Sequence, residues 1–80
     1  MTMTYHVVVP FGLDDTGHPI PLEPVEVPNA ESARQRAQRL AEVNAGAVAF
    51  SRTGDPASGE FAEAEIIAVF GSVDVSLLSV

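Results

Sequence analysis

The chain has 80 residues and a net charge of −7, and it contains neither cysteine nor lysine. The missing cysteines exclude disulfides and thiolate metal sites, and the missing lysines exclude a Schiff-base lysine, a phosphate-loop lysine and a Ser–Lys dyad. Affinity for nucleic acids comes mainly from basic residues that neutralise phosphates, so four arginines against eleven acidic residues argue against DNA or RNA as a partner.

Eighty residues predict a single domain, in which residues 72–80 are either a frayed end or a further edge strand. A chain of this size buries only about 60% of its extended surface, so we expect a thin core. The hydrophobic content of 46% argues against disorder. No apolar run approaches the roughly 18 residues of a membrane span, and the N-terminus does not resemble a signal peptide. We therefore expect a cytoplasmic protein of a bacterial-type cell, without a membrane partner.

The first predicted element is a strand over residues 4–11, with the odd-numbered side chains from Tyr5 to Phe11 on one face. Pro10 cannot donate a hydrogen bond to a sheet, so we expect this end of the strand to lie at an edge or to leave the sheet. A polar turn follows. The proline-rich stretch after it allows only a short edge strand, at residues 22–27.

A helix is predicted over residues 30–45. Asn29 is a favourable N-cap residue, and Gly46 can end the helix in the left-handed conformation. Alanines recur on one face at a period of 3.6 residues, which favours close packing on a sheet. The helix would be about 22 Å long, the length of a strand of six or seven residues.

Two antiparallel strands are predicted after the helix, at residues 47–52 and 60–70. Between them, Asp55 and Pro56 suit the first two positions of a type I turn, and Gly59 suits a positive φ. The last segment also contains good helix formers, but its apolar run favours a buried strand. The predicted fold class is α+β: a single helix packed on a small, mainly antiparallel sheet.

One stretch of the sequence resembles a group of small uncharacterised bacterial proteins: residues 46–61, which read GAVAFSRTGDPASGEF, with residues 5–11 upstream. This resemblance covers most of residues 4–71 and implies no activity, ligand or partner. The chain also resembles, more loosely, the HicB type of antitoxin, which opens with a strand ending near proline and carries a helix rich in alanine and acidic residues. The Pro-Gly-Cys element of those antitoxins is missing here.

The candidate ligand-binding residues are Arg52, Thr53, Gly54 and Asp55. Backbone amides around Gly54, together with the Arg52 guanidinium, can hold a small anion. Arg52 can instead pair with Asp55 or Glu60 across the hairpin, which is the more frequent role for such residues.

The remaining polar residues fit structural roles better than catalytic ones. His6 is interpreted as a partly exposed strand residue, and His18 as part of a turn whose acidic residues lack the spacing of a calcium loop. Glu63 and Glu65 repeat at the period of a strand, but so short a chain offers no obvious cleft for glycosidase chemistry. No catalytic residue, metal site or cofactor is predicted.

The leading functional hypothesis is a non-enzymatic protein-interaction or self-assembling module. It would bind itself or another protein through sheet edges or an exposed apolar face. The thin core, the lack of covalent or metal staples and the apolar C-terminal segment favour this hypothesis. The alternatives are a small-ligand or anion-binding domain that uses the Arg52–Asp55 hairpin, and an antitoxin-like regulator.

Overall fold

The computed structural model describes residues 2–74, in which one helix packs on a curled antiparallel sheet. In chain order the elements are β1 (Met3–Leu13), β2 (Pro19–Pro21), β3 (Val25–Val27), α1 (Ala30–Val43), β4 (Gly46–Asp55), β5 (Glu60–Phe61) and β6 (Glu65–Gly71). The predicted α+β class and the predicted order of elements are confirmed. No helix in this part of the chain is long and apolar enough to cross a membrane.

Strands β1 and β4 form the centre of the sheet, and they pair without interruption from Met3–Gly54 to Phe11–Gly46. Strands β2 and β3 both lie along the outer side of β1, and β5 and β6 both lie along the outer side of β4. Each margin of the sheet is therefore one strand broken into two pieces. The predicted edge strand at 22–27 is confirmed as an edge, with β3 as its paired part.

Pro10 lies inside the central strand β1, where it is paired with Ala47, so the prediction that it marks an edge is wrong. The Pro10 carbonyl accepts a hydrogen bond of 2.8 Å from the amide of Leu22, in the break between β2 and β3. The nitrogen and carbonyl of one strand residue point to the same side. The missing donor of Pro10 therefore faces this break and removes no hydrogen bond to β4.

Helix α1 begins as predicted. The Asn29 side chain accepts a hydrogen bond of 2.8 Å from the amide of Ser32, which satisfies one of the free donors of the first turn. In the same turn, Glu31 pairs with Arg34, which lowers the pKa of the Glu31 carboxyl and raises that of the guanidinium. Both side chains are solvent-exposed, so this pair orders the helix surface and adds little stability.

Gly46 does not end the helix, because it is already the first residue of β4. The C-cap is Asn44 in an extended conformation, and its side-chain amide donates to the Leu40 carbonyl at 3.0 Å. Gly46 is needed for a different reason. A Cβ at this position would lie 2.6 Å from the Phe70 carbonyl oxygen and would also collide with the backbone of Ser72.

Both faces of the sheet are apolar. The helix-covered face is built from small side chains: Val8, Ala47 and Ala49 on the strands and Ala33 and Ala37 on the helix, all fully buried. The opposite face carries a second cluster, of Val9, Phe11 and Val48. Alanine on both sides brings the helix axis close to the sheet, and it limits the apolar area that each residue buries. The expected thin core of alanine and valine is confirmed.

The segment at 60–70 runs back antiparallel to β4 as predicted, but it is divided into β5 and β6 instead of forming one strand. The β4–β6 register has an irregularity between Ala49 and Phe50. The predicted frayed or edge-pairing end falls partly on residues 75–80, which lie outside the described residues. Of the residues before it, Val73 packs on the cluster of the opposite face.

Replacing Gly46 by alanine should lower the free energy of unfolding by about 2 kcal/mol, because the new methyl group meets backbone atoms that cannot rotate away. Urea denaturation followed by circular dichroism measures this loss. Gly12→Ala is the matched control, since its Cβ would make an ordinary contact of 3.5 Å with the Leu22 side chain. Equal losses in the two variants would contradict the packing explanation.

Candidate functional site

The four predicted site residues, Arg52 to Asp55, form the end of strand β4. Strand geometry sends successive side chains to opposite faces of the sheet. The Thr53 hydroxyl lies 2.9 Å from the hydroxyl of Thr4, its strand partner on β1. Arg52 and Gly54 lie on the other face. The four residues are therefore consecutive in β4, but they alternate between the two opposite faces of the sheet.

The Arg52 guanidinium is held by contacts within its own chain. Its central carbon lies 5.4 Å from the centroid of the Phe61 ring, and its Nε donates to the Ala62 carbonyl at 3.1 Å. The Phe61 ring is also tilted against Tyr5, with centroids 6.2 Å apart. A cation over an aromatic face is worth about 0.5–1 kcal/mol at an exposed site. These contacts attach β5 to the end of the central strands.

Gly54 is a strand residue, paired with Phe61 across the β4–β5 hairpin. The Phe61 ring lies directly on Gly54, and a Cβ at Gly54 would occupy the position of the ring. An aromatic side chain that covers a cross-strand glycine is a recurrent means of stabilising a sheet edge. The backbone of Gly54 thus serves the strand, whereas the anion-binding hypothesis needs its amide in a turn.

The turn that follows β4 is held by Asp55, the residue predicted to open it. The Asp55 carboxylate accepts from the Ala57 amide at 2.9 Å, and the Gly59 amide donates to the Asp55 carbonyl at 2.8 Å. Gly59 has φ 77°, which confirms its predicted positive φ. Asp55 and Glu60 both line the shallow groove beside this turn. Their negative charges disfavour an anion there.

The two histidines lie in different elements, His18 in a turn and His6 in a strand. His18 lies in a turn organised by the Asp14 carboxylate, which accepts from the amides of His18 and Thr16, each at 2.9 Å. These hydrogen bonds, that of His18 above all, lower the pKa of the Asp14 carboxyl. His6 is half-buried in β1, and its Nδ1 atom has no hydrogen-bond partner among the described residues. Within residues 2–74, no group of three acidic or histidine side chains is placed to hold a metal ion.

The outer side of β6 is the feature that sequence reasoning did not locate. Hydrogen bonds alternate along antiparallel strands, and the amide of Ser72 donates to the Ala45 carbonyl at 3.0 Å. Counting back in register, Phe70 and Ala68 also bond to β4, whereas the amide and carbonyl of Val69 point away from it. No strand within residues 2–74 pairs with this side of β6.

Two apolar side chains accompany the free backbone groups of β6. Ile66 is 48% exposed and Val69 is 46% exposed. Both are paired with residues of β4 that lie on the opposite face, Phe50 and Val48. The edge of β6 therefore offers unpaired backbone groups and apolar surface together. The sequence signal that could have found it is the absence of proline from residues 65–71, compared with the proline-rich margin formed by β2 and β3.

The Asp14 turn should depend on pH in a defined direction. Because the folded-state pKa of Asp14 is lowered, its hydrogen bonds stabilise the turn above the usual value of 3.8 and are lost as the pH falls through the lower folded-state pKa. The amide chemical shifts of Thr16 and His18 should titrate with a midpoint below 3.8. Asp14→Ala should abolish this titration. A midpoint at or above the usual value would contradict the hydrogen-bonded geometry.

Phosphate should not bind at the Arg52–Asp55 hairpin, since the guanidinium is engaged by Phe61 and Ala62 and the adjacent groove carries two carboxylates. We expect the amide shifts of residues 52–55 to stay unchanged up to about 20 mM phosphate, beyond the range of even millimolar binding. Sodium chloride at equal ionic strength is the control. A saturable shift specific to phosphate would instead favour the anion-binding alternative.

No known protein family matches the chain, and neither a curated protein nor a solved structure shows significant similarity to it. The resemblance of residues 46–61 to small bacterial proteins therefore stays a prediction.

Proposed function

We propose that this protein is a non-enzymatic interaction module that binds a partner by adding a strand to the outer side of β6. The observation that carries the proposal is the outer side of that strand, which pairs with no other strand within residues 2–74. The backbone groups of Val69 are directed outward there, and Ile66 and Val69 are half-exposed beside them. Edges of this kind are the sites at which extended segments join a sheet.

The two margins of the sheet differ in proline content and in strand length. The margin formed by β2 and β3 has prolines at 19, 21 and 24 and a further proline directly after it at 28, and its register shifts by one residue between Leu22 and Val25. Proline and short strands are the usual devices that prevent a sheet edge from pairing. Strand β6 has seven residues, no proline and no lysine, and its one charged residue, Glu65, stands at its beginning. The difference favours binding at β6.

Strand addition at β6 would use both parts of the exposed surface. Backbone hydrogen bonds to Val69 would provide affinity, and apolar contacts with Ile66 and Val69 would favour a partner with apolar residues at alternate positions. Each of these side chains is about half-exposed, so complete burial would contribute about 1 kcal/mol apiece. Such an interface suits a modest, reversible affinity.

We propose a non-enzymatic function because the candidate catalytic and ligand-binding side chains either make contacts within their own chain or do not lie on a common strand. Arg52 contacts Phe61 and Ala62, and the Asp14 carboxylate organises its own turn. Glu65 begins β6, whereas Glu63 lies in the break before it, so these two carboxylates do not share a strand as the sequence pattern suggested.

Site-specific photo-crosslinking tests the proposal in the cells from which the gene comes. A benzophenone amino acid placed at position 69 should give crosslinked adducts of discrete mass. The matched control carries the same group at position 20, on the proline-rich margin, where Ile20 is 40% exposed. Adducts at 69 and none at 20 would support binding at β6. No adduct at 69, or the same adducts at both positions, would refute it.

A further inference from the structure

We propose that the strand added to β6 is the β6 of a second copy of this chain, paired antiparallel about a two-fold axis that passes between the two Val69 residues. This inference rests on the proposed function and adds the identity of the partner and the register. It follows from three features of the described residues: the pattern of free backbone groups, the position of charge on β6, and the contrast between the two margins.

The backbone pattern selects the register. The amide and carbonyl of Val69 both point away from β4, so a two-fold axis at this residue lets each Val69 donate to, and accept from, the partner's Val69. In the same register, Ala68 lies opposite the partner's Phe70, on the helix-covered face. A small residue is thus placed against a large one twice, once on each side of the axis.

The charge distribution is compatible with this pairing. Glu65, the charged residue of β6, is four residues from the axis, or about 13 Å along the strand. The two copies of Glu65 would be about 26 Å apart, well beyond the screening length of about 8 Å at physiological salt. Within Glu65–Gly71, no charged residue therefore faces another across the interface. Each chain nevertheless carries a net charge of −7, so salt should strengthen the association.

The contrast between the margins favours a closed pair. Pairing β6 with a second β6 would cover the outer side of this strand in both copies at once and place the proline-rich margins at the two ends of the joined sheet. A two-fold interface uses the same surface on each subunit, and growth then stops at two. A strand from a different protein would add a new open edge. That arrangement would not explain why prolines prevent pairing at the opposite margin, formed by β2 and β3.

Sedimentation of the purified protein tests the dimer. From about 1 to 500 µM, a span that covers weak and moderate affinities, the average mass should rise from 8.4 kDa towards twice that value. The rise should begin at lower concentration when salt is added. Val69→Lys should weaken the association at least about tenfold, because the axis places each new charge against its own copy. Ile20→Lys, on the proline-rich margin formed by β2 and β3, should leave the association unchanged.

Charge complementation tests the register. Val69→Lys and Val69→Glu should each be monomeric alone, and an equimolar mixture should form heterodimers, because opposite charges then face each other across the axis. The chain has no cysteine, so Val69→Cys provides a second readout: mild oxidation should crosslink it, whereas Ile20→Cys should stay monomeric. Circular dichroism confirms that each variant folds.

Two results would overturn the inference. One is a wild-type protein that remains at 8.4 kDa over the whole range and whose Val69→Cys variant does not crosslink. The other is a dimer that Val69→Lys leaves intact. Failure of the dimer is distinct from failure of the proposed function: photo-crosslinks at position 69 to a different protein would leave strand addition supported and refute self-association, whereas no photo-crosslink at all would remove both.

Discussion

The antiparallel pairing of β1 with β4 is the interaction on which the rest of this small fold depends. Within residues 2–74, every other strand is paired with one of these two, and the helix packs on small side chains that both contribute, among them Val8 and Ala49. The pair also explains how a proline is tolerated at its centre. Pro10 turns its missing donor towards the broken margin, so the hydrogen bonds between the central strands are kept.

This core is built from small side chains, which let the backbone elements approach closely, instead of from large apolar side chains. Ala33 and Ala37 of the helix meet Ala47 and Ala49 of β4, and a short distance along the same strand Gly46 fits against the backbone of β6 and the segment after it. Large apolar side chains would bury more area, but they would hold the layers apart. A domain built in this way has little stability in reserve. A partner strand bound to β6, as proposed, would therefore also raise the stability of the fold, since binding to the folded state stabilises it.

The elements with strong local signals were predictable from sequence. Asn29 and the alanine stripe defined the helix, and Asp55, Pro56 and Gly59 defined the hairpin turn, because capping and turn chemistry act over a few residues. Predictions failed where a distant strand decides the outcome. The place of Pro10 depends on the break in a margin more than ten residues away, and Gly46 is determined by Phe70 and Ser72 rather than by the helix before it.

The candidate site shows the same limit. The sequence presents Arg52 to Asp55 as a compact group, but strand alternation separates the side chains, and Phe61 occupies the space beside Gly54 and Arg52. Among the described residues, the unpaired outer side of β6 follows from the order of strands in the sheet, which no local pattern specifies. The sequence alone shows that residues 19–28 are rich in proline. The strand order is needed to show that the opposite margin, formed by β5 and β6, has no proline.

The packing of Tyr5 against Phe61, close to Arg52, has a practical consequence for studying the protein. Tyr5 is the only tyrosine in the chain, and there is no tryptophan, so tyrosine emission comes from a single residue, at the place where β5 joins the central strands. Quenching or anisotropy of that emission reports whether the hairpin is seated. A labelled or mutated probe is not needed to follow it in real time.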